Sequence, residues 1–433
     1  MMTTETALQT PPRRFLFLQG PHGPFFRGLG RMIEASGAEV WRVGFNLGDR
    51  MFWPGRGYIP FHGTPEDWPE ALRTILTRHA ITDIVLYGDT RPVHAEAVAI
   101  AREAGLGIHV FEEGYLRPHW ITYERGGANG HSRLMQMTVA EIERAIERSD
   151  APMHDAPPVW GDMVQHMVWG AIYHGLVLAG GRAYPGFRPH RALTPAEEFR
   201  LYLRRLVLQP LHRIERILAT ARILRSGFPY HLVLLQLAHD TSLLAHSPFR
   251  SMTEFLEMVT AGFARGAPRH HHLVFKAHPL EDGRVPMARE IRRLARAHGL
   301  EGRVHFVRGG KLARLLAQAR SAVTVNSTAG QQALWRGLPL KTFGAAVYAK
   351  PEFVSTQPLA DFFAQAQRPD ARAYRAFRLF LLETSQVAGG FYSISGRRLL
   401  LRHVVDMMLA PQDPYETFIA GKAAPRQQLR LVT

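Results

Sequence analysis

The sequence predicts an α/β protein in which two Rossmann-like domains flank a helical insert. Three observations support this prediction. Short β-rich runs alternate with helical patterns in the first third of the chain, strand patterns are nearly absent from about residue 126 to 229, and the alternation resumes at residue 231. Strands that alternate with helices are typical of a parallel sheet with helical crossovers. A chain of 433 residues is long enough for two or three domains.

The first Rossmann-like domain is predicted over residues 14–150. Its candidate strands are Phe15–Leu18, Glu39–Phe45, Asp83–Tyr87 and Ile108–Phe111. Its candidate helices are Phe25–Ala35, Pro69–His79 and Val93–Ala104. Parallel sheets bind ligands beyond the carboxyl ends of their strands, so the residues that follow each strand are the first candidates for a site.

The predicted helical insert, residues 151–229, is strongly basic. Thr194–Glu197 has the sequence of a capping box and opens a helical stretch with a predicted break at Pro210. Residues 188–225 contain nine arginines and three glutamates, with apolar residues at helical spacing. Such a segment is either a solvated helix packed on a domain or an element that binds a membrane surface or an acceptor. Residues 163–181 lack charge but contain four glycines, which favours a buried or interfacial helix over a membrane span.

The second Rossmann-like domain is predicted over residues 230–370, followed by C-terminal helices and a tail over residues 371–433. The candidate strands are His231–Leu237, His272–Lys276, Val304–Val307, Ala322–Val325 and Leu340–Phe343. The candidate helices are Met252–Phe263, Pro286–His298, Leu312–Ala319 and Ala329–Arg336. Two α/β halves joined by a helical insert form the arrangement of a GT-B glycosyltransferase, in which a cleft separates the halves, although other two-domain α/β enzymes share the pattern.

Composition limits the chemistry further. The absence of cysteine excludes disulfides, iron–sulfur clusters, cysteine-based zinc sites and thiol catalysis. The formal net charge of +16 favours anionic partners, such as phosphorylated substrates or an acidic membrane surface. Nucleic acid binding would rest on charge alone, without a recognition motif, and is not predicted. The run His270–His272 is not predicted to bind metal, because successive strand residues cannot all face one ion.

Polar and glycine residues follow three strands of the first domain. They are Gln19, Gly20 and Gly23 after the first strand, Asn46 after the second and Asp89 after the third. Glycines allow a ligand to approach the backbone, and the start of a helix favours anions. We predict substrate binding at these positions, and ordinary turn chemistry is the alternative.

Two adjacent glutamates, Glu112 and Glu113, end the fourth strand and are followed by Tyr115 and Arg117. A partly buried carboxyl group has a raised pKa, which suits general acid/base catalysis. Because neighbouring strand residues point to opposite faces, only one of the two can face a cleft. We favour Glu113, which lies nearer the turn, and predict substrate binding by Tyr115 and Arg117. Helix capping or an ion pair with Arg117 is the alternative.

Candidate residues of the second domain also follow strands. Asp240 would lie at the rim of the cleft, where a carboxylate can attack an anomeric carbon, and its alternative role is an N-cap. Lys276 and His278, with Pro279, can clamp a phosphate after the next strand. A further group, in which hydroxyl and backbone N–H groups would form a phosphate cradle or an ordinary N-cap, consists of Asn326, Ser327, Thr328 and Gly330.

Several motifs together resemble one enzyme family. QGPHGPFFRGLG, RVGFNLGDRMFW, FEEGYLRPHWITYE, LQLAHDTSL with HSPF, KAHPLEDG, VNSTAGQQALWRGLPL and TSQVAGGFY occur in this order within residues 14–400. This order is similar to that of the bacterial capsular polysaccharide β-Kdo transferases of the KpsS/LipB type. The resemblance implies a retaining glycosyltransferase that transfers the acidic sugar Kdo from CMP-β-Kdo to a (lyso)phosphatidylglycerol lipid, with the first domain on the acceptor side and the second holding the nucleotide sugar.

The resemblance also implies roles and partners. Asp240 would be the nucleophile, Glu113 the acid/base, and His278 with Ser327 and Thr328 would hold the phosphate of CMP. Arg117 would face the carboxylate of Kdo. The expected partners are CMP-Kdo, an anionic lipid acceptor, the inner-membrane surface and other capsule assembly proteins, with no metal and no cofactor besides the donor. The expected location is cytoplasmic, peripheral on the inner face of the cytoplasmic membrane.

Two other functions remain open at this stage. Another CMP- or CDP-dependent transferase of cell-surface polymer synthesis, such as a CDP-glycerol polymerase, would also use histidine–proline and serine-rich loops. A non-catalytic capsule export or scaffold protein would need no carboxylates on both sides of a cleft.

Overall fold

The computed structural model describes residues 12–149, 163–188, 195–238, 241–279, 281 and 283–422. Asp240 lies outside these residues, and so does Thr194, the first residue of the predicted capping box. We call the elements around the seven-stranded sheet the first lobe and those around the five-stranded sheet the second lobe.

The first lobe is built on a mixed sheet whose strands, within the described residues, have the order β12-β6-β5-β4-β1-β2-β3. The strands are β1 Arg14–Phe17, β2 Glu39–Gly44, β3 Tyr58–Pro60, β4 Asp83–Tyr87, β5 Gly107–Glu113, β6 Trp120–Arg125 and β12 Gln386–Ala388. β6 pairs antiparallel with β5 and β12, and the other pairs are parallel. Phe15 of β1 lies opposite Val40 and Asp83, which sets the register of the central strands.

The second lobe contains a five-stranded sheet in the described part of the chain, in the order β11-β10-β7-β8-β9, and all its pairs are parallel. The strands are β7 Tyr230–Leu234, β8 His272–Lys276, β9 Val304–Val307, β10 Ser321–Thr324 and β11 Leu340–Thr342. The predicted GT-B arrangement of two α/β halves is therefore confirmed.

Helices cover both faces of each sheet. In chain order, those of the first half are α1 Phe25–Ala35, α2 Leu47–Met51, α3 Trp68–Arg78, α4 Pro92–Glu103, α5 Val139–Glu147, α6 Met163–Ala179, α7 Pro195–Arg225 and α8 Thr241–Ala245. The others are α9 Met252–Gly266, α10 Met287–Ala297, α11 Leu312–Leu316, α12 Gly330–Leu334, α13 Leu359–Ala364, α14 Ala371–Thr384, α15 Ile394–Leu409 and α16 Pro414–Ile419. Short 3₁₀ turns are Pro65–Asp67, Asn129–His131 and Arg133–Met135.

The alternation of side chains along each strand explains why helices cover both faces of the sheet. In β1, Phe15 and Phe17 pack with α1 and α15 on one face of the sheet. Leu16 and the following Leu18 pack with α3 and α4 on the other face. Because successive strand residues point to opposite faces, an entirely apolar strand must be buried on both sides.

Three strands are additional to those predicted. β3 and β12 are each three residues long, which is too short for a periodic signal, and β12 pairs with β6 from the far end of the chain. β6 is rich in strand-forming residues but follows the turn around Pro118 closely. The partner that keeps β12 in place is therefore distant in sequence.

The predicted break at Pro210 is wrong. α7 is continuous from Pro195 to Arg225, and Pro210 lies inside it. Proline removes one backbone hydrogen bond, but the leucine, arginine and alanine residues on both sides favour helix and continue it. Among the residues described, no helix has both the length and the apolar character needed to cross a membrane.

The lobes are joined by an apolar cluster and by buried polar contacts. Lys350 of the second lobe is buried and its Nζ donates to the carbonyl oxygens of Leu134 at 2.7 Å, Met135 at 3.1 Å and Met137 at 2.7 Å. α5, which follows these residues, packs on α14. The segment that follows β6 is thus held by the second lobe, which brings the carboxyl edges of the two sheets close together.

Candidate active site

The carboxyl edges of the two sheets meet at three polar side chains. Asp89 lies just beyond β4 and is only 2% exposed. Its Oδ2 accepts a hydrogen bond from the Ala128 amide at 2.9 Å and lies 3.1 Å from Nδ1 of His131. The His131 ring lies 4.8 Å from the ring of His246, which follows α8 in the second lobe. The lobes therefore approach each other beside Asp89, a predicted binding residue, and through two histidines to which we had assigned no role.

The two glutamates at the end of β5 share this edge, and both are half-buried. Burial raises the pKa of Glu112 to about 7, and the charge of Glu113 acts in the same direction. The Glu113 amide donates to Oε1 of Glu112 at 3.0 Å, and Arg117 and Arg91 also favour the ionised form. Glu112 therefore has the raised pKa that we had expected of Glu113.

Aromatic residues that we had not predicted surround these carboxyl groups. Tyr87 ends β4 and Tyr392 precedes α15, and burial raises the pKa of both hydroxyls, with further contributions from Glu112 and Glu113. His166 of α6 stacks on Tyr392 with ring centroids 4.0 Å apart, and burial lowers the pKa of His166. Tyr392 ends the TSQVAGGFY motif, a signal in the sequence that could have located it.

Tyr115 and Arg117 occupy different environments. Tyr115 is buried, its hydroxyl donates to Oε2 of Glu124 at 2.9 Å, and its carbonyl oxygen accepts from Nε2 of Gln331 at 3.0 Å. It therefore links the lobes. Arg117 is exposed, and its Nε donates to the Gly114 carbonyl oxygen at 3.2 Å. Its positive charge lies near Glu112 and favours the ionised form of that carboxyl group.

Gln19 and Asn46 form hydrogen bonds to helix α6. Nε2 of Gln19 donates to Oδ2 of Asp49 at 3.1 Å and to the Tyr173 hydroxyl at 3.3 Å. Nδ2 of Asn46 donates to the same hydroxyl at 2.9 Å. Asp49 is also paired with the buried Arg42 at 3.0 Å. Both predicted binding residues thus fasten α6 to the first sheet.

Close packing accounts for the two glycines of the first loop. A Cβ atom on Gly20 would lie 2.5 Å from the Phe26 ring. Gly23 has φ of +108°, and a Cβ atom there would lie 3.2 Å from the Trp169 ring of α6. These glycines therefore let the chain pass beneath aromatic side chains.

Asn326 is held at the carboxyl edge of the second sheet. Its amide N–H donates to Oε1 of Gln236 at 3.1 Å, and its Oδ1 accepts from Nε2 of Gln236 at 2.8 Å. Its Nδ2 donates to the His246 carbonyl oxygen at 3.3 Å. Asn326 therefore joins the ends of β7 and β10 to the residue that approaches the first lobe.

Lys276 is the last residue of β8 and is buried. Burial lowers its pKa to about 8, and Arg216 of α7 adds to the effect. A lysine with this pKa remains mostly protonated at pH 7 and keeps its positive charge. The half-buried His278 and the exposed Pro279 follow at the same edge, and phosphate binding by these residues stays a prediction.

Ser327 and Thr328 are half-buried in a tight turn after β10. Oγ of Ser327 accepts from the Ala329 amide at 3.2 Å, and its carbonyl oxygen accepts from the Gly330 amide at 2.9 Å and from the Tyr348 hydroxyl. A Cβ atom on Gly330 would lie 2.6 Å from that hydroxyl oxygen. The turn therefore presents its hydroxyl groups at the edge, and its glycine is required by packing.

The histidines of the 270–272 run contact different partners. Nδ1 of His271 lies 3.0 Å from Nε2 of His231, whereas Nδ1 of His272 lies 2.9 Å from Nε2 of His305. Successive residues point apart, as expected of a strand. The role of Asp240, which follows β7 outside the described residues, stays a prediction.

Comparison with known families classifies the chain. The family model described as "Capsule polysaccharide biosynthesis protein" matches residues 82–392. The chain belongs to this family. The match begins beside β4 and ends at Tyr392, so it includes Glu112, Glu113 and the second-lobe residues described above.

Curated relatives support membership of the capsule polysaccharide biosynthesis family. The chain is 31% identical over 382 residues to the capsule polysaccharide export protein KpsS of Escherichia coli, covering 88% of this chain and 97% of that relative. It is also 31% identical over 382 residues to the capsule polysaccharide modification protein LipB of Neisseria meningitidis serogroup B, covering 87% and 91%. The resemblance to the KpsS/LipB type is confirmed.

Among solved structures, the chain is similar to KpsC of Thermosulfurimonas dismutans, described as a beta Kdo 2,7 transferase. The TM-score is 0.44 at 12% identity, and the similarity covers 90% of this chain and 99% of that chain.

Proposed function

We propose that the chain is a retaining β-Kdo glycosyltransferase that transfers Kdo from CMP-β-Kdo to a (lyso)phosphatidylglycerol lipid and so starts a capsular polysaccharide linker. Family membership supports a role in capsule polysaccharide synthesis. The observation that carries the enzymatic part is Glu112, a half-buried carboxyl group with a pKa of about 7 at the edge where the lobes meet. A carboxyl group with this pKa at the edge of a cleft is suited to acid/base catalysis.

The proposed reaction proceeds by two displacements. A carboxylate oxygen of Asp240 bonds to the anomeric carbon of Kdo while the bond to the phosphate oxygen breaks, and CMP leaves with the electron pair. A glutamate of the Glu112–Glu113 pair then accepts the proton of the acceptor hydroxyl, whose oxygen displaces Asp240. Two inversions return the original anomeric configuration.

The raised pKa of Glu112 suits it to the base role. At pH 7 about half of a group with this pKa is ionised, so it can accept a proton and release it again. The hydrogen bond from the Glu113 amide fixes the orientation of the Glu112 carboxylate. Glu113, preferred from the sequence, is the second candidate, and its charge contributes to the raised pKa of Glu112.

The leaving group requires positive charge more than a proton, because CMP is already an anion. Lys276 and His278 lie at the carboxyl edge of the second sheet, and Ser327 and Thr328 follow β10 at the same edge, with β7 between the two strands. Lysine and hydroxyl groups can bind the phosphate in the ground state and stabilise the charge that develops on it. Arg117 is exposed near Glu112 and is proposed to bind the carboxylate of Kdo.

A lipid acceptor implies work at a membrane, and we propose peripheral attachment to the inner face of the cytoplasmic membrane. α6 exposes apolar side chains, among them Val164, Met167 and Leu178. α7 exposes Leu211 and Leu218 between its arginines. Exposed apolar residues with arginines suit a helix at an anionic lipid surface.

The proposed function is tested by mass spectrometry of the product formed from CMP-Kdo and a lyso-phosphatidylglycerol analogue. We expect one or more Kdo additions to the lipid and, in Glu112→Gln or Glu113→Gln protein, accumulation of a Kdo adduct on the intact chain. Asp240→Ala should abolish both signals, whereas Glu103→Gln, an exposed change on α4, should preserve transfer. Turnover of CDP-glycerol without turnover of CMP-Kdo would replace the proposal with the alternative transferase. Transfer by Asp240→Ala protein at the wild-type rate would refute the nucleophile assignment.

A further inference from the structure

Three metal-ligating side chains from distant parts of the sequence converge where the lobes meet. One oxygen of Asp89 and one ring nitrogen each of His131 and His246 all lie within 4.8 Å of one another. Asp89 follows β4, His131 ends a 3₁₀ turn after β6, and His246 follows α8 in the second lobe. Their separation in sequence explains why we considered only the His270–His272 run as a metal candidate.

Two atoms of this cluster lack partners. Oδ1 of Asp89 and Nε2 of His246 are both buried, and neither has a hydrogen-bond partner among the residues that the structure describes. Asp89 is 2% exposed, so its second oxygen is withdrawn from solvent. A buried carboxylate oxygen without a donor destabilises the folded chain. A cation bound beside it would remove this destabilisation.

The backbone is shaped to bring His246 to the cluster. A Cβ atom on Gly130 would lie 2.4 Å from Nδ1 of His246, so only glycine allows the imidazole to lie so close to the first lobe. On the other side, the His246 carbonyl oxygen accepts from Nδ2 of Asn326 and from the Ala345 amide at 2.7 Å. The backbone of His246 is therefore held by Asn326 and Ala345, while its ring lies against Gly130.

We propose that Asp89, His131 and His246 bind a divalent ion of the Zn²⁺ class that connects the two lobes. Imidazole nitrogens with one carboxylate oxygen suit zinc, at bond lengths of about 2.0–2.2 Å. Ligands in a tetrahedral site then lie about 3.3 Å apart. Asp89 Oδ2 and His131 Nδ1 are already 3.1 Å apart, and all three ligand atoms lie within 4.8 Å of one another, so ion binding would draw the His246 ring closer to the other two ligands.

Three protein ligands leave one coordination position open for water or for an oxygen atom of a ligand. His131 is 47% exposed, which provides access for the ion from solvent. The bound ion would hold the 128–131 loop of the first lobe against the end of α8 and so set the separation of the sheet edges. This property is independent of the donor sugar and of the acceptor.

The test is titration of the chelator-treated full chain with ZnCl₂ by calorimetry, with Co²⁺ absorption as a second readout. We expect one tight site per chain and the intense visible bands of tetrahedral Co²⁺. His246→Ala and His131→Ala should each weaken Zn²⁺ binding by more than the roughly 100-fold that loss of an outer-shell partner costs. Circular dichroism of both variants verifies that they are folded.

The matched control is His270→Ala, an exposed histidine of the 270–272 run. It should leave the tight site unchanged. If His270→Ala abolishes binding while His246→Ala does not, or if the wild-type chain binds no Zn²⁺, the proposal is overturned. Because the readout is metal binding, a negative result leaves the test of Kdo transfer untouched, and failure of Kdo transfer leaves the metal site untouched.

Discussion

The backbone amide of Glu113 donates a hydrogen bond to the carboxylate of its neighbour Glu112 at 3.0 Å. The two residues at the end of β5 therefore form a unit, in which one supplies a donor and a charge while the other has a pKa of about 7. Glu113 was favoured because it lies nearer the turn, but the raised pKa of Glu112 directs the first two predictions at Glu112.

Replacement of Glu112 by glutamine should lower the rate of transfer by about 100- to 10,000-fold, the usual contribution of a general base. Glutamine keeps the size of the side chain but cannot accept the proton. Initial rates of lipid glycosylation at saturating CMP-Kdo measure the effect. If Glu112→Gln stays within twofold of Glu103→Gln while Glu113→Gln is inactive, the base is Glu113.

The pH dependence of transfer should report the ionisation of Glu112. A general base is active when ionised, so kcat/KM should rise with pH through a midpoint near 7. Residual transfer by Glu112→Gln protein should lack this rising limb. A midpoint near 4.5, the ordinary value for glutamate, would contradict the assignment of Glu112.

Glu124 should make the folding stability depend on pH. It is 2% exposed, and burial raises its pKa to about 7 although Ser132, Tyr115 and Tyr415 hydroxyls donate to it. Its neutral form is favoured in the folded chain, so its stabilising contribution is complete below the unfolded pKa and is lost as pH rises through 7. The loss amounts to about 3 kcal/mol.

Urea unfolding of wild-type and Glu124→Gln protein at pH 5 and pH 8 measures this contribution. The free energy of unfolding of the wild type, relative to that of the variant, should be lower at pH 8 than at pH 5. Glu103→Gln, which changes an exposed glutamate, should show no such difference. If the free energies of unfolding of the wild type and Glu124→Gln differ by the same amount at both pH values, Glu124 does not titrate in this range.

Lys350 should be a major source of contact energy between the lobes. Its ammonium group donates to three carbonyl oxygens of residues 134–137, and Lys350→Met leaves all three without this donor. Hydrogen bonds from charged groups contribute about 1.5–3 kcal/mol each, so we expect a loss of at least about 3 kcal/mol. Denaturant unfolding provides the measurement, with the exposed Lys311→Met as control.

Membrane attachment should depend on the arginines of α7. Arg204 and Arg213 are exposed, and each arginine near an anionic surface contributes about 1 kcal/mol. The double change to glutamine should weaken binding to phosphatidylglycerol vesicles about 30-fold, and salt should weaken wild-type binding. The matched pair Arg292→Gln and Arg296→Gln on α10 should have little effect. Salt-independent binding would point to α6 instead.

The sequence was sufficient to predict the two sheets because their central strands are apolar on both faces and alternate with amphipathic helices. β4, β8 and β9 were predicted at their observed bounds for this reason. β12 was not, because its pairing with β6 depends on a partner more than 260 residues away. Local patterns carry no information on such a contact.

The residues of the candidate site also differ in whether local sequence or distant packing determines their position. Residues that follow predicted strands, such as Asp89 and Lys276, were found because strand ends are visible in sequence. The contacts of Gln19 and Asn46 with Tyr173 were not predicted, since they depend on where α6 packs. The preference for Glu113 over Glu112 rested on its position nearer the turn, whereas the pKa depends on burial and on neighbouring charges.

The return of the C-terminal segment to the first sheet has a consequence for how this molecule can be divided. The polypeptide passes from the first lobe to the second before β7 and comes back through α14 to β12 and α15. Two covalent tethers therefore span the junction, and relative rotation of the halves must bend both. A fragment that stops at residue 370 would retain every strand of one sheet yet deprive the other of an edge strand and a covering helix.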